Sequence, residues 1–495
     1  MILENALQEN NTQKRSKKDT RSAFLTLPKL ITSFLWVLFT GNLAYLIYFY
    51  PAIPEWYLGT ALRVNGFTIL IWTTVTFFSA LVSSYAGSYL SGFRYHSRFM
   101  KLCLGFTLSV MTFVMSDHIG LLLLSWLLMG FFMSRLIGIN KDWAEAREAS
   151  KFTQRYFLLG TFFLSLGILL LGYESGTFTV SGLTASMNDL SPFIILLAAL
   201  CIILAAVVQS AIYPFHRWLL SAMTAPTPAS ALMHAGFVNG AGILLALFST
   251  VLFASNTLNF LLIIGGLTAI IAQFTKLLQV NVKQKLACST IAQMGFMIMQ
   301  CGLGFFNAAV VHLILHGFYK AYLFLASGEE IAHSQLQKPP QIRIKPLQAV
   351  VVLFFGILGA VLFALLTGKG MALDSSIFLT LIVAITVGQA TYNIVKQKSL
   401  SVLQKIILPP ILFISGIGIY ALMYNGVTTL MIDMPMIAVP LPLTMVQIVF
   451  GIVFLIGFFI MKLGIYRKVP WLYVKLLNLS QPYKNSILMY KSRSL

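Results

Sequence analysis

Apolar runs of about 18 residues or more recur almost from one end of the chain to the other, each long enough at ~1.5 Å per residue to cross roughly 30 Å of hydrocarbon. Of the 495 residues, 58% are hydrophobic and only 10% are charged, whereas an ordinary soluble protein has about 25% charged residues. The pattern excludes a soluble domain and predicts an all-α polytopic membrane protein. A bundle in lipid escapes the usual size limit of soluble domains, so length gives no reason to split the chain. The 34 Lys and Arg against 14 Asp and Glu leave a net charge of +20. The basic residues gather in short loops, as cytoplasmic loops do, so the expected partner surface is membrane lipid and no nucleic acid.

The runs place helices at 28–50, 66–87, 101–116, 119–138, 152–172, 192–211, 229–253, 259–280, 286–304, 307–327, 347–367, 375–395, 403–424 and 445–466, about fourteen spans. They divide the chain into a basic cytoplasmic tail (1–27), amino-terminal spans (28–98), a core (99–395), carboxyl-terminal spans (396–466) and a second basic tail (467–495). With the amino terminus inside, the inner loops carry Arg94, Arg98, Arg135, Lys141, Arg147, Lys151, Arg217, Lys283, Lys285, Lys338, Arg343, Lys345, Lys396 and Lys398. The outer loops 173–190 and 425–444 hold almost no Lys or Arg, which puts both termini in the cytoplasm. Arg63 and Lys369 alone break the segregation. The polar first 24 residues, ending in Lys14, Arg15, Lys17, Lys18 and Arg21, read as a cytoplasmic anchor rather than a signal peptide. Cys103, Cys201, Cys288 and Cys301 lie in or beside apolar segments without a CxxC pair or zinc-type Cys/His spacing, so no disulfide, metal or other cofactor is expected in this chain.

Two helices read as interrupted. The sixth ends at Tyr213-Pro214 and gives way to Phe215-His216-Arg217-Trp218-Leu219, closed by Pro226 and Pro228; the eleventh ends at Gly368-Lys369-Gly370. Free backbone groups at membrane depth are tolerated only where protein or water covers them, so broken helices point to transport sites. Each break falls in the fourth helix of a five-helix block, 99–253 and 259–395. Five is odd, so the second block would be inverted relative to the first, with sites at corresponding breaks.

The polar residues inside the spans indicate the chemistry. His312, His316 and Lys320 are spaced i, i+4, i+8 in the tenth helix, on one face and over about 12 Å. Histidine exchanges protons near neutral pH, and desolvation brings a lysine toward that range. A row of such groups in lipid reads as a proton relay along a wet path. The plainer alternative has the histidines bonded to helix carbonyls and Lys320 snorkelling to the cytoplasmic edge. His234, just after the proline break, reads equally as a satisfied core histidine. None of the acids lies within a span: Asp117 sits in a turn, Glu329 and Glu330 cap a helix end, and Asp374 begins a helix. Sodium exchange usually needs a buried carboxylate, so proton movement is the expectation.

The run from Tyr213-Pro214-Phe215-His216-Arg217-Trp218-Leu219-Leu220 through Ala225-Pro226-Thr227-Pro228-Ala229-Ser230-Ala231-Leu232-Met233-His234-Ala235-Gly236 resembles the central motif of the proton-translocating, antiporter-like subunits. Such subunits occur in complex I, Mrp antiporters and membrane-bound hydrogenases. Lys283 with Leu286 to Gly295, and His316-Gly317-Phe318-Tyr319-Lys320-Ala321, resemble its next two motifs. The resemblance implies fourteen core helices, two inverted five-helix repeats and a hydrated polar axis. It matches Lys320, His312, His316, His234 and Lys369 to the family's conserved-type lysines and histidines. The glutamate usual after the tryptophan of the fifth core helix is absent, because Leu127 follows Trp126. The lysine usual before the first-break proline is Gln209. These departures and the His216-Arg217-Trp218-Leu219 wording resemble the DabB branch, the smaller membrane subunit of DAB-type inorganic carbon pumps. That likeness implies a transporter subunit, not an enzyme, in a bacterial inner membrane. It implies a proton path through Lys369, Lys320, His316 and His312, with His234 and Gln209 contributing polar contacts near the centre. It further implies that the proton current drives CO2 hydration in a large DabA-like partner that resembles a β-carbonic anhydrase and holds the zinc. The wider family implies the alternative of a Mrp-type cation/proton antiporter or a complex I-like proton-pumping subunit.

Overall fold

The computed structural model describes residues 27–327, 346–370, 372–396, 401–463 and 465–484. The expectations for Glu329, Glu330, Lys338, Arg343, Lys345 and Lys398 lie outside these residues. Helices stand where the apolar runs placed them: α1 Leu27–Phe49, then α2 Gly66–Tyr89, α3 His96–Met115, α4 Ile119–Ile137, α5 Ala144–Ser175 and α6 Pro192–Gln209. They continue with α7 Thr227–Leu247, α8 Leu258–Leu278, α9 Val282–Gly302, α10 Phe306–Leu325, α11 Pro346–Thr367, α12 Ser376–Lys396, α13 Val402–Leu430, α14 Met445–Leu463 and the short terminal α15 Pro470–Leu479. Among the described residues, 10 helices are long and apolar enough to cross a membrane, and α11, α12 and α14 contain shorter apolar stretches. The protein is a multi-pass helical membrane protein.

The loops alternate between two ends of the bundle. At the distal end they are knitted by the backbone bridges Leu62–Ser116, His118–Thr179, Phe305–Ala438 and Asp374–Pro442. At the basic end, the Lys283 Nζ donates to the Ala225 carbonyl at 2.8 Å and the Gln279 amide to that of Ser480 at 3.1 Å. The basic tail expected from 467 thus begins with a helix, α15, docked on this end. At the distal end, β1 (Trp56–Leu58) and β2 (Leu62–Val64) form a small antiparallel hairpin, the one sheet among the described residues. The hairpin places Arg63 2.6 Å from Glu55, which accounts for one of the two misplaced cations. Partial burial pushes the Glu55 carboxyl up, but the bonds from Arg63 and Tyr57 outweigh it and hold the group below its usual range.

The most apolar stretch of α7 is 89% buried, against 11% for α1, so α7 forms the centre and α1 the rim. Close approach around that centre depends on small residues, as expected where lipid supplies no hydrophobic drive between helices. A Cβ on Gly317 of α10 would meet the Phe78 ring of α2 and come within 3.0 Å of the Ala235 carbonyl of α7. A Cβ on Gly295 of α9 would lie 2.6 Å from the Gly265 carbonyl of α8.

The expectation of a second broken helix at 368–370 is corrected. α11 stops at Thr367, and α12 starts at Ser376 and folds back along it, with Gly356 facing Ala384 and Gly388, and Gly359 facing Val387. Gly368 and Gly370 take φ of 66° and 78°, the left-handed region that glycine tolerates. The Asp374 carboxylate then accepts from the Ser376 N–H at 2.8 Å and caps a new helix. Two stop signals followed by a start signal therefore make a reversal, not an interruption. Lys369 sits in this turn at the distal end, its Nζ 5.1 Å from the centre of the Phe305 ring.

The alternation generates a direct test. Cysteines replacing the exposed Asn188 and Lys141 are expected to react with an impermeant thiol reagent from opposite faces of sealed vesicles, the second from the cytoplasmic face. Labelling of both from one face would contradict the alternation.

Candidate functional site

The first interruption is built from the helix ends upward. α6 ends at Gln209, and a short helix, Arg217–Ser221, follows after a turn. The buried Trp218 indole N–H donates to the Val208 carbonyl at 2.8 Å and caps the open end of α6. Pro228 lies in the first turn of α7, where a missing N–H costs nothing. Pro214 is exposed in the turn, and Pro226 immediately precedes α7. α7 itself loosens at Gly236 and passes through a short 3-10 turn, Phe237–Asn239. Side chains take up the carbonyls exposed there. Asn239 donates to Ala235 at 2.7 Å, Gln209 to Phe237 at 3.3 Å and Ser210 to Val238 at 2.6 Å. Backbone irregularity at this depth is thereby satisfied by protein.

His234 precedes this loosened turn and is fully buried. Its ring stacks on Phe324 of α10, centroids 4.3 Å apart, and neither ring nitrogen has a protein partner. The reading of His234 as a core histidine satisfied by protein is therefore not what the geometry gives. His216, by contrast, is held at the basic end by a 2.7 Å bond between its Nε2 and the Leu479 carbonyl of α15, away from the interrupted turn of α7.

On α10, Lys320 is 0% exposed and its Nζ donates to the Leu286 carbonyl of α9 at 3.0 Å. It does not snorkel to the edge. The ion pairs among the described residues are Arg63–Glu55, Arg94–Asp142 and Lys151–Glu148, so no carboxylate of these residues compensates Lys320. One turn on, His316 is buried with both ring nitrogens unpartnered. A turn further, the His312 ring lies parallel to it, centroids 6.0 Å and planes 13° apart, with its Nε2 also unpartnered. Buried polar atoms without protein partners require water, so the face carrying Lys320, His316 and His312 is suited to an ordered water file.

The tertiary structure adds residues that sequence reasoning missed. His312 borders a cavity of about 350 Å³ shared with Gln300 of α9, Thr386 and Thr391 of α12 and Tyr420 of α13. The Gln300 Oε1 is buried without a partner. The available signal was a glutamine in an apolar stretch of α9, seven residues after Gln293 and so on the same helix face. Lys369 is separated from this group along α10: Phe305, which it touches, stands seven residues before His312, about 10 Å at helical rise. Leu127, which follows the buried Trp126, lies on the bundle surface.

A multi-pass bundle with an interrupted central helix and a buried, uncompensated lysine in line with histidines defines an antiporter-like membrane protein. The chain belongs to the NADH:quinone oxidoreductase/Mrp antiporter transmembrane family, whose model matches residues 116–394. Within it, the chain is similar to the probable inorganic carbon transporter subunit DabB2 of Halothiobacillus neapolitanus, 32% identical over 376 residues that cover 74% of this chain and 67% of the relative. It is also similar to the probable inorganic carbon transporter subunit DabB of Bacillus anthracis, 34% identical over 334 residues, 66% of this chain and 64% of the relative. The matched stretches thus take in about two thirds of each relative. The fold is that of a chain in the Mrp complex of Dietzia sp. DQ12-45-1b, with a TM-score of 0.62, 20% identity, and coverage of 93% of this chain and 58% of that one.

The bond from Gln209 makes a specific prediction. Gln209→Met removes the donor to the Phe237 carbonyl and is expected to lower stability by about 1–2 kcal/mol, read as a drop in thermal midpoint in detergent. Gln209→Lys buries an ammonium with Leu127 in place of the usual carboxylate, and is expected to reduce membrane abundance or transport further. Full abundance and activity of Gln209→Lys would contradict the loss of the charge pair in this half.

Proposed function

We propose that this chain is the membrane subunit of an energy-coupled inorganic carbon (CO2/bicarbonate) pump. It conducts protons that drive CO2 hydration by a large DabA-like, carbonic-anhydrase-like partner, which holds the zinc. This chain performs no catalytic step. It spans a bacterial inner membrane fourteen times, with both termini and the basic end in the cytoplasm, and its core comprises two inverted five-helix blocks, α3–α7 and α8–α12. Protons enter near Lys369 at the distal end, pass His312 and His316, and reach Lys320 on the basic side, with His234 and Gln209 contributing polar contacts at the centre. Order along α10 follows chain order, because the helix runs from the distal end to the basic end.

The observation that carries this reading is Lys320, fully buried, bonded to one carbonyl and in line with two histidines whose nitrogens lack protein partners. A group so costly to bury is retained at a path through a membrane protein rather than for packing. The carbon substrate and the partner's chemistry rest on the similarity to the two DabB proteins. The family model also covers subunits of NADH:quinone oxidoreductases and Mrp antiporters, which supports a cation/proton antiporter or redox-linked pump as the second reading. The two are separated by what co-purifies from gently solubilised membranes: a large zinc-binding subunit, or several small antiporter or redox subunits.

Lys320→Met preserves length and apolar packing while removing the titratable amine. It is expected to abolish growth at ambient CO2 in a host that depends on the pump, while membrane abundance stays near that of the parent. Undiminished carbon-dependent growth would overturn the conduction role of Lys320.

A further inference from the structure

A second polar cavity lies beside the first, along the same face of α9 toward the basic end, and is not used by the path above. It has a volume of about 370 Å³ and is bounded by α8, α9, α12 and α14. Its polar lining is Gln273 and Lys276 of α8, Gln293 of α9 and Thr386 of α12. Lys276 stands in the last turn of α8, so the cavity reaches the basic end there. At the other extreme the cavity stops at Phe296.

Phe296 has an unusual position. Its ring packs edge-on to His312, centroids 5.2 Å apart and planes at 67°. With Ile382 and Thr386, it belongs both to this cavity and to the His312–Gln300 cavity. The Thr386 hydroxyl is committed to its own helix, donating to the Ile382 carbonyl at 2.8 Å, and so presents a methyl-bearing wall rather than a free donor. Two cavities that each carry polar groups are therefore divided by the Phe296 ring, Ile382 and the methyl face of Thr386. A thin apolar partition of this kind blocks a continuous water file by dewetting until a side chain moves.

We propose that the Gln273–Lys276–Gln293 cavity is the basic-end water access to the His312 chamber, with Lys276 as its proton-exchanging group and the Phe296 ring as the barrier between the two. The inference deepens the conduction reading and rests on it for the direction of flow, but the existence of the access chamber is a property of the fold alone. The lysine gives the cavity a site that holds a proton one helix away from Lys320, and the two glutamines supply donors and acceptors that order water between it and the ring. Rotation of Phe296 would join this water to His312 without any helix moving.

The test uses the full chain in sealed membrane vesicles, with its partners present, in a background where the four buried cysteines are replaced by alanine or serine. A small cationic methanethiosulfonate reagent applied from the basic face is expected to modify Gln293→Cys readily and Gln300→Cys about tenfold more slowly or not at all. Adding Phe296→Ala should raise the Gln300→Cys rate at least about tenfold, whereas Phe296→Leu, which keeps an apolar plug, should leave it slow and serves as the folding control. An unreactive Gln293→Cys, or a Gln300→Cys rate that does not respond to Phe296→Ala, would overturn the proposal. Lys276→Met should lower carbon uptake several-fold while Gln293→Cys stays reactive and Gln300→Cys stays slow, and unchanged uptake would remove Lys276 from it. Labelling and growth fail independently. Inactive Lys320→Met with an unreactive Gln293→Cys sinks the chamber and leaves conduction standing, and active Lys320→Met with the expected labelling does the reverse.

Discussion

Everything at the centre of this protein depends on the rule that a peptide group inside hydrocarbon must find a hydrogen-bond partner within the protein or in trapped water. Most of the chain obeys it with unbroken helices. Between Val208 and Asn239 it does not, and the structure supplies the missing partners one at a time: the Trp218 indole for Val208, the Gln209 amide for Phe237, the Ser210 hydroxyl for Val238 and the Asn239 amide for Ala235. Each donor comes from a residue within or beside the interruption. The irregular segment is therefore a self-capping unit, and within it the His234 ring stacks on Phe324.

That unit explains why α10 carries the row of polar residues. α10 packs on α7 and α2 through Gly317, so closely that a methyl group there would press on the Ala235 carbonyl. The face bearing Lys320, His316 and His312 is then enclosed by protein rather than lipid, the only setting in which three such groups can be kept. Lys320 spends its single protein bond on the Leu286 carbonyl, which carries no negative charge. Among the described residues no carboxylate pairs with this buried amine, so its burial is compensated by no ion pair.

The same reasoning separates the two glycine- and proline-marked interruptions, which look alike in one dimension. At Val208 and again at 235–238 the chain needs side-chain donors because these carbonyls lie inside the bundle. At the α11–α12 turn the links run instead to the other distal loops, with the Ser375 hydroxyl donating to the Leu303 carbonyl at 2.8 Å and the Asp374 carboxylate capping α12. Lys369 becomes a residue of an end loop, resting on Phe305, instead of a charge at the midplane.

The sequence by itself determined the placement of the long apolar helices, the basic bias of alternate loops, the break after α6 and the single-face row on α10. These are properties of one helix or one loop at a time, fixed by residue type and by the 3.6-residue repeat. Only the tertiary structure decided that Gln300 and Thr386 border His312, that Phe296 stands between two cavities, that His216 ties α15 to the basic end, and that 368–370 is a reversal. Each of those depends on which helix lies beside which. In lipid that choice is made by close packing at small residues such as Gly265, Gly295 and Gly317, not by hydropathy, because lipid is as apolar as the helices it surrounds.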